Sequence, residues 1–152
     1  MDRKVSYIVA IISDFAERYG LTTPQAYRYL ALYKGIDFLD EFYDVEHTLS
    51  FDDVVKDVAL LCRNNGGEFL CNGEVRPIPE ETMSKEQFMI EELVKDLVLK
   101  LMEDRKIAMA EALGLVYNSD TYEKILDLET GLFSQSTAYV YEILARELTE
   151  GL

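Results

Sequence analysis

Apolar residues in the first twenty positions recur at the spacing of one helical face. Val5, Ile8, Val9, Ile12, Phe15 and Tyr19 predict an amphipathic helix over 3–19, with Gly20 as its C-terminal stop. Thr23 followed by Pro24 reads as an N-cap with proline at the first helical position. This second helix is expected to run to about Lys34, with Gly35 ending it and a short helical turn from Ile36 to Phe42 after it. Ser50 with an acid three residues on, Asp53, resembles a capping box. Asp52 and Asp53 fall in the first turn, where the helix dipole favours negative charge. The helix so opened reaches about Arg63, with Val54, Val55, Val58, Leu61 and Cys62 inward, and NNGG at 64–67 ends it.

The pattern then changes. Asn72-Gly73 between short apolar runs is a two-residue turn signal, and Pro77 and Pro79 stiffen the exit. Residues 66–83 read as a linker carrying a short β-hairpin or an extended arm. Ser84-Lys85-Glu86-Gln87 forms a further capping box. A long helix to about Asp104 follows, with Phe88, Ile90, Leu93, Val94, Leu97, Val98 and Leu101 apolar. Shorter helices are expected over 107–119 and over DTYEKILD, with a turn at ETGLF. Ser136 caps a last helix, 137–149, striped with Tyr139, Val140, Ile143, Leu144 and Leu148. The predicted fold is all-α: a helical domain over 1–65, a linker or hairpin over 66–83, and a second helical domain over 84–152.

Composition narrows the function. The chain of 152 residues is 49% hydrophobic, enough to build a core. Its net charge is -14. Both halves contribute, with 8 Lys and Arg against 13 Asp and Glu in residues 1–76, and 7 against 16 in residues 77–152. Such a surface repels nucleic-acid backbones and suits a basic protein partner. No secretory signal opens the chain, and no apolar run approaches the roughly 18 residues of a membrane span. Two cysteines, Cys62 and Cys71, are too few for a disulfide framework or a zinc site. A cytoplasmic protein with free thiols and no membrane contact is expected.

Candidate chemistry centres on His47, the only histidine, in EFYDVEHTLSFDDVV at 41–55. A general base needs an orienting carboxylate and a reacting group within hydrogen-bond reach. Carboxylates are plentiful there: Glu41, Asp44, Glu46, Asp52 and Asp53. The nearest hydroxyl, Ser50, is better explained as a cap. A metal site with Asp44 and Glu46 matches no established spacing. The structural reading has His47 and Thr48 shaping a turn between helices. ERYGLTTPQAYRYLALYKG has the outline of a helix-turn-helix, but the second helix sets Gln25, Arg28 and Lys34 among Tyr27, Tyr29, Leu30, Leu32 and Tyr33, few groups to read base edges. Phosphate loops, a zinc spacing, a nucleophile elbow and kinase motifs are absent from the sequence. Ten tyrosines, among them Tyr117, Tyr122, Tyr139 and Tyr141, suit interfaces as well as cores, because tyrosine buries area and keeps a polar tip.

Two segments resemble known types. Leu21…Ala26-Tyr27…Leu30, Ile36-Asp37-Phe38-Leu39 and Tyr43-Asp44…His47-Thr48 resemble a small bacterial family of unknown function, over about residues 3–67. VYNSDTYEKILDLETGLFSQSTAYVYEIL, residues 116–144, resembles a second small bacterial type and includes Tyr117, Asn118, Tyr122, Gly131, Gln135, Tyr139 and Tyr141. Phe133 departs from the tyrosine usual there. Genes of both types often lie beside one for an ADP-ribosyltransferase-like toxin, so the resemblance implies an antitoxin or accessory role against such a protein. It carries over no catalytic residue.

The function expected is therefore non-enzymatic protein binding without a cofactor. A DNA-binding autoregulator acting through the N-terminal helices is the alternative, and an enzyme centred on His47 stands behind it. Self-association into a homo-oligomer is left open.

Overall fold

The computed structural model describes residues 2–67 and 85–150. The described residues are helical, without strands, so the all-α class holds there. The chain divides into two compact units, Arg3–Glu81 and Thr82–Leu152. The expected linker or hairpin over 66–83 falls outside the described residues except for Gly66 and Gly67. Cys71, Asn72-Gly73, Pro77, Pro79 and the Ser84 cap also lie outside them.

The first unit contains α1 (Asp2–Tyr19), α2 (Thr23–Leu32), α3 (Gly35–Glu41), α4 (Tyr43–Glu46) and α5 (Phe51–Asn64). Helix α1 is buried beyond its expected stripe, since Ile11 and Ala16 join Val5, Ile8, Val9, Ile12, Phe15 and Tyr19 in the core. Such burial on several faces marks a helix with neighbours all round. Phe15 stacks at 5.9 Å on Tyr29 of α2, Lys4 reaches Asp40 of α3 at 3.0 Å, and Tyr7 meets rings from α4 and α5.

Three local expectations shift. The N-cap of α2 is Thr22 rather than Thr23. The Thr22 hydroxyl accepts from the Gln25 N–H at 3.2 Å, and the Gln25 side chain accepts from the Thr22 N–H at 2.9 Å. That reciprocal box satisfies two otherwise orphaned donors, and a cap at Thr23 would forfeit it. The helix also ends at Leu32 instead of about Lys34. Lys34 takes the left-handed turn, at φ 71°. Gly35 begins α3 rather than stopping α2, and it is buried. A Cβ there would lie 2.8 Å from Leu30 Cδ2 and 3.0 Å from Cys62 Sγ, so close approach of α3 to α2 and α5 requires the glycine. The Ser50 cap stands, with its hydroxyl accepting from the Asp53 N–H at 3.2 Å.

The second unit contains α6 (Lys85–Arg105), α7 (Met109–Tyr117), α8 (Asp120–Leu126) and α9 (Thr137–Glu150), with 3-10 turns at Leu128–Thr130 and Leu132–Ser134 in place of the simple ETGLF turn. Leu93, Val94, Leu97, Val98 and Leu101 of α6 form its core with Met109, Leu113 and Val116 of α7, Ile125 of α8 and Val140 and Leu144 of α9. Of the stripe expected on α9, Tyr139 is instead 53% exposed.

Candidate functional site

The YDVEHT stretch forms a tight corner between α3 and α5. Helix α4 is a single turn, and its exposed C-terminal carbonyls need partners. His47 and Thr48 supply them. The His47 Nδ1 lies 2.6 Å from the Tyr43 carbonyl oxygen. A carbonyl only accepts, so Nδ1 carries the proton and donates. The Thr48 hydroxyl donates to the Val45 carbonyl at 2.6 Å. The imidazole also stacks on the Tyr43 ring at 4.6 Å and 15°. His47 is exposed, as are Asp44 and Thr48. The imidazole is thus oriented by a backbone carbonyl of its own turn rather than by a carboxylate.

Rings extend this corner inward. Tyr43 meets Tyr7 edge-on at 5.3 Å, and Tyr7 meets Phe51 edge-on at 5.9 Å. Edge-to-face contacts of this kind add to simple area burial. The Lys4 ammonium lies 5.7 Å from the Tyr43 centroid.

The outer side of the corner is apolar. Phe42 is 45% exposed, Val45 62%, Leu49 38% and Phe51 40%. These four large apolar side chains fall within ten residues. Residues 35–55 also hold seven Asp and Glu and no Lys or Arg. Lys4 pairs with Asp40, and Lys56 and Arg18 pair with Asp52. Glu41, Asp44 and Asp53 are exposed, and no ion pair engages them among the described residues.

Beneath the corner lies Glu46, the one buried side chain of α4 and only 7% exposed. Its Oε2 has no hydrogen-bond partner among the described residues, and neither has the buried Tyr7 hydroxyl. Burial, and then the neighbouring Asp57 carboxyl within hydrogen-bonding reach, raise the Glu46 carboxyl above its ordinary value. Burial first, and then Glu46 and Tyr43, push the Tyr7 phenol up to about 12. The sequence reading counted Glu46 as one acid among five, because its burial depends on packing against α1 and α5.

Arg18 was also missed as a structural group. It is buried, with Nε 3.4 Å from Asp14 and its guanidinium bonded to Asp52. The i,i+4 spacing from Asp14 was a usable signal; the reach to Asp52 was not.

The C-terminal candidates do not form one surface. Tyr117 and Tyr122 are core residues, their rings edge-on at 5.0 Å. Asn118 is the exposed C-cap of α7. Gly131 is half-buried in the left-handed region at φ 69°, and Gln135 is exposed. Tyr139 is exposed, whereas Tyr141 is half-buried with the Lys100 ammonium 5.2 Å from its ring centroid. Glu147 of α9 accepts from the Asp120 and Thr121 N–H groups at 2.8 Å each and from the Thr121 hydroxyl at 2.6 Å. This carboxylate closes the start of α8. Among the described residues, no cluster of three or more His, Cys, Asp or Glu is placed to hold a metal ion.

A family model described as "Protein of unknown function (DUF3791)" matches residues 6–65. The match spans nearly all of α1–α5 and includes the corner. No curated protein and no solved structure matches the chain. Among the described residues no helix is long and apolar enough to cross a membrane.

Proposed function

We propose that this chain is a non-enzymatic protein-binding protein that neutralises an ADP-ribosyltransferase-like toxin, as an antitoxin or accessory component of a toxin–antitoxin-like locus. The observation that carries the binding role is the corner itself. Phe42, Val45, Leu49 and Phe51 stand at the surface beside Glu41, Asp44 and Asp53, which no ion pair engages among the described residues. Apolar and aromatic groups within a polar rim are the usual make-up of an interface core, and a clustered exposed patch marks an interaction site where scattered residues do not. The unpaired Glu41, Asp44 and Asp53 favour a basic partner and speed its approach. The toxin class comes from the sequence resemblance, and a basic, nucleotide-accepting cleft is the surface such a corner covers.

Co-expression with the chromosomal neighbours, followed by tag capture, tests this. The expected result is a stoichiometric complex with an ADP-ribosyltransferase-like neighbour, weakened by added salt and abolished by Phe42→Ser with Val45→Ser. A complex indifferent to both variants removes the corner from the reading. A well-folded preparation that captures no neighbour overturns the antitoxin role.

A further inference from the structure

We propose that the outer face of residues 38–49 is a helix-docking seam, and that its occupant is a basic amphipathic helix of the partner, laid along it with apolar residues at matching spacing and Lys or Arg beside them.

The seam arises because α3 and α4 meet at Phe42 in one bent helical run. The Phe42 N–H donates to the Phe38 carbonyl and the Glu46 N–H to the Phe42 carbonyl, both at 2.9 Å, and the Leu49 N–H donates to the Glu46 carbonyl at 3.0 Å. Phe42 itself, at φ -103° and ψ 21°, marks the bend. The inward face of this run puts Ile36 and Leu39 into the core of the first unit. The outward face carries a second apolar stripe: Phe38, Phe42, Val45 and Leu49, at i, i+4, i+7 and i+11. Phe38 is half-buried at its foot, with its ring 5.2 Å from that of Phe42. The other three are exposed. A surface helix needs one apolar stripe to join its core. A second one in alternating steps of four and three is the pattern that receives the side chains of another helix.

Charge selects the occupant. Asp37, Glu41 and Asp44, at i, i+4 and i+7, follow one border of the stripe. All three are exposed, and no ion pair engages them among the described residues. A second copy of this chain would bring the same acids to the same border, and like charges so placed disfavour association. A helix with Lys or Arg flanking its apolar seam meets them with opposite charge, as the border positions of paired helices do. From Phe38 to Leu49 the stripe runs roughly 16 Å, long enough for one short helix. The inference rests on the corner being the binding surface, and adds the form in which the partner enters it.

The probe is a Leu/Lys peptide of about 15 residues, with leucines at i, i+4, i+7 and i+11, titrated into the full chain. Binding is read by fluorescence anisotropy and located by amide shifts. The expected result is a complex weakened by salt, with shifts centred on 37–51. Phe42→Ser with Val45→Ser should weaken it by about tenfold or more. Asp37→Asn with Glu41→Gln and Asp44→Asn should flatten its salt dependence. A peptide of the same composition with leucines at every second position should bind about tenfold more weakly or worse. Equal binding of that peptide reduces the effect to charge and overturns the seam. So does equal binding of a Leu/Glu peptide, or shifts centred elsewhere. Concentration-dependent dimers that Phe42→Ser dissociates would make a second copy the occupant and overturn it as well. Capture of a toxin neighbour without peptide binding removes the helix and leaves the binding role. Peptide binding without a captured neighbour removes the toxin and supports the seam.

Discussion

Glu46 and Glu147 make an instructive pair, one in each unit. Both are glutamates drawn in from the surface on helices. Glu147 enters a setting of donors, two N–H groups and a hydroxyl. Burial alone would raise its carboxyl, but the Thr121 hydroxyl and the Asp120 and Thr121 N–H groups outweigh that and hold it below the ordinary value. Glu46 enters a setting of acceptors and rings, and burial and Asp57 act together to raise it. The wider units repeat the contrast. The buried polar side chains described in the first unit are Arg18 and Glu46, and those in the second are Ser119 and Thr121. What a carboxyl does to a fold is set by the hydrogen-bonding character of what it meets, more than by depth.

The largest expected effect tests the first unit's reliance on buried charge. Arg18→Met strands Asp14, which burial already raises and Arg18 only partly offsets. It should cost about 3 kcal/mol, read as an earlier denaturant midpoint for amides of α1 and α5. A loss below about 1 kcal/mol would show that water reaches Asp14 freely and weaken the contrast between units.

Removing the acceptor in the second unit comes next. Glu147→Ala leaves two N–H groups and the Thr121 hydroxyl without their partner, at a cost of about 2 kcal/mol, confined to α8 and α9 in residue-resolved unfolding. Glu46→Gln should act in the opposite sense. It exchanges a carboxyl pair for an amide that donates to Asp57, and stabilises the first unit near neutral pH by about 1 kcal/mol.

The pH dependence separates the two more sharply. Glu46 is raised in the folded state, so its stabilising contribution is complete below the ordinary value of 4.5 and lost as pH rises through its folded value. The advantage of Glu46→Gln over wild type should therefore grow with rising pH and vanish towards acid. Glu147 is lowered, so its contribution is present above 4.5 and lost as pH falls through its folded value. The deficit of Glu147→Gln should shrink towards acid. Parallel trends for the two variants would erase the distinction. The smallest effect belongs to the exposed corner: Phe42→Ser and Val45→Ser should each change stability by no more than about 0.5 kcal/mol, while the two together abolish capture of a partner.

The sequence made local features readable and concealed distant ones. The Ser50 cap and the α1 stripe depend on residues within a few positions of each other, and both were visible. The role of His47 as a turn element was legible because YDVEHT sits between two helix signals. The cap of α2 slipped by one because Thr22 and Thr23 both qualify, and Gln25 decides between them. Glu46 could not be singled out among five neighbouring acids, since Tyr7 and Asp57 meet it only through packing. The tyrosines show the same limit: in VYNSDTYEK, Tyr117 and Tyr122 proved to be core, while Tyr139 from a predicted apolar stripe lies at the surface.

Cys62 gives the first unit a built-in clock. Its thiol is fully buried, its sulfur sits beneath Gly35, and burial pushes it up to about 11, with a Gly35 backbone contact offsetting a little. A thiol-specific reagent must wait for α3 to part from α5 before it finds a reactive thiolate. In a Cys71→Ser background, the labelling rate of Cys62 therefore measures how often that seam opens. A ligand seated on the neighbouring corner would register as slower labelling, without any probe being introduced.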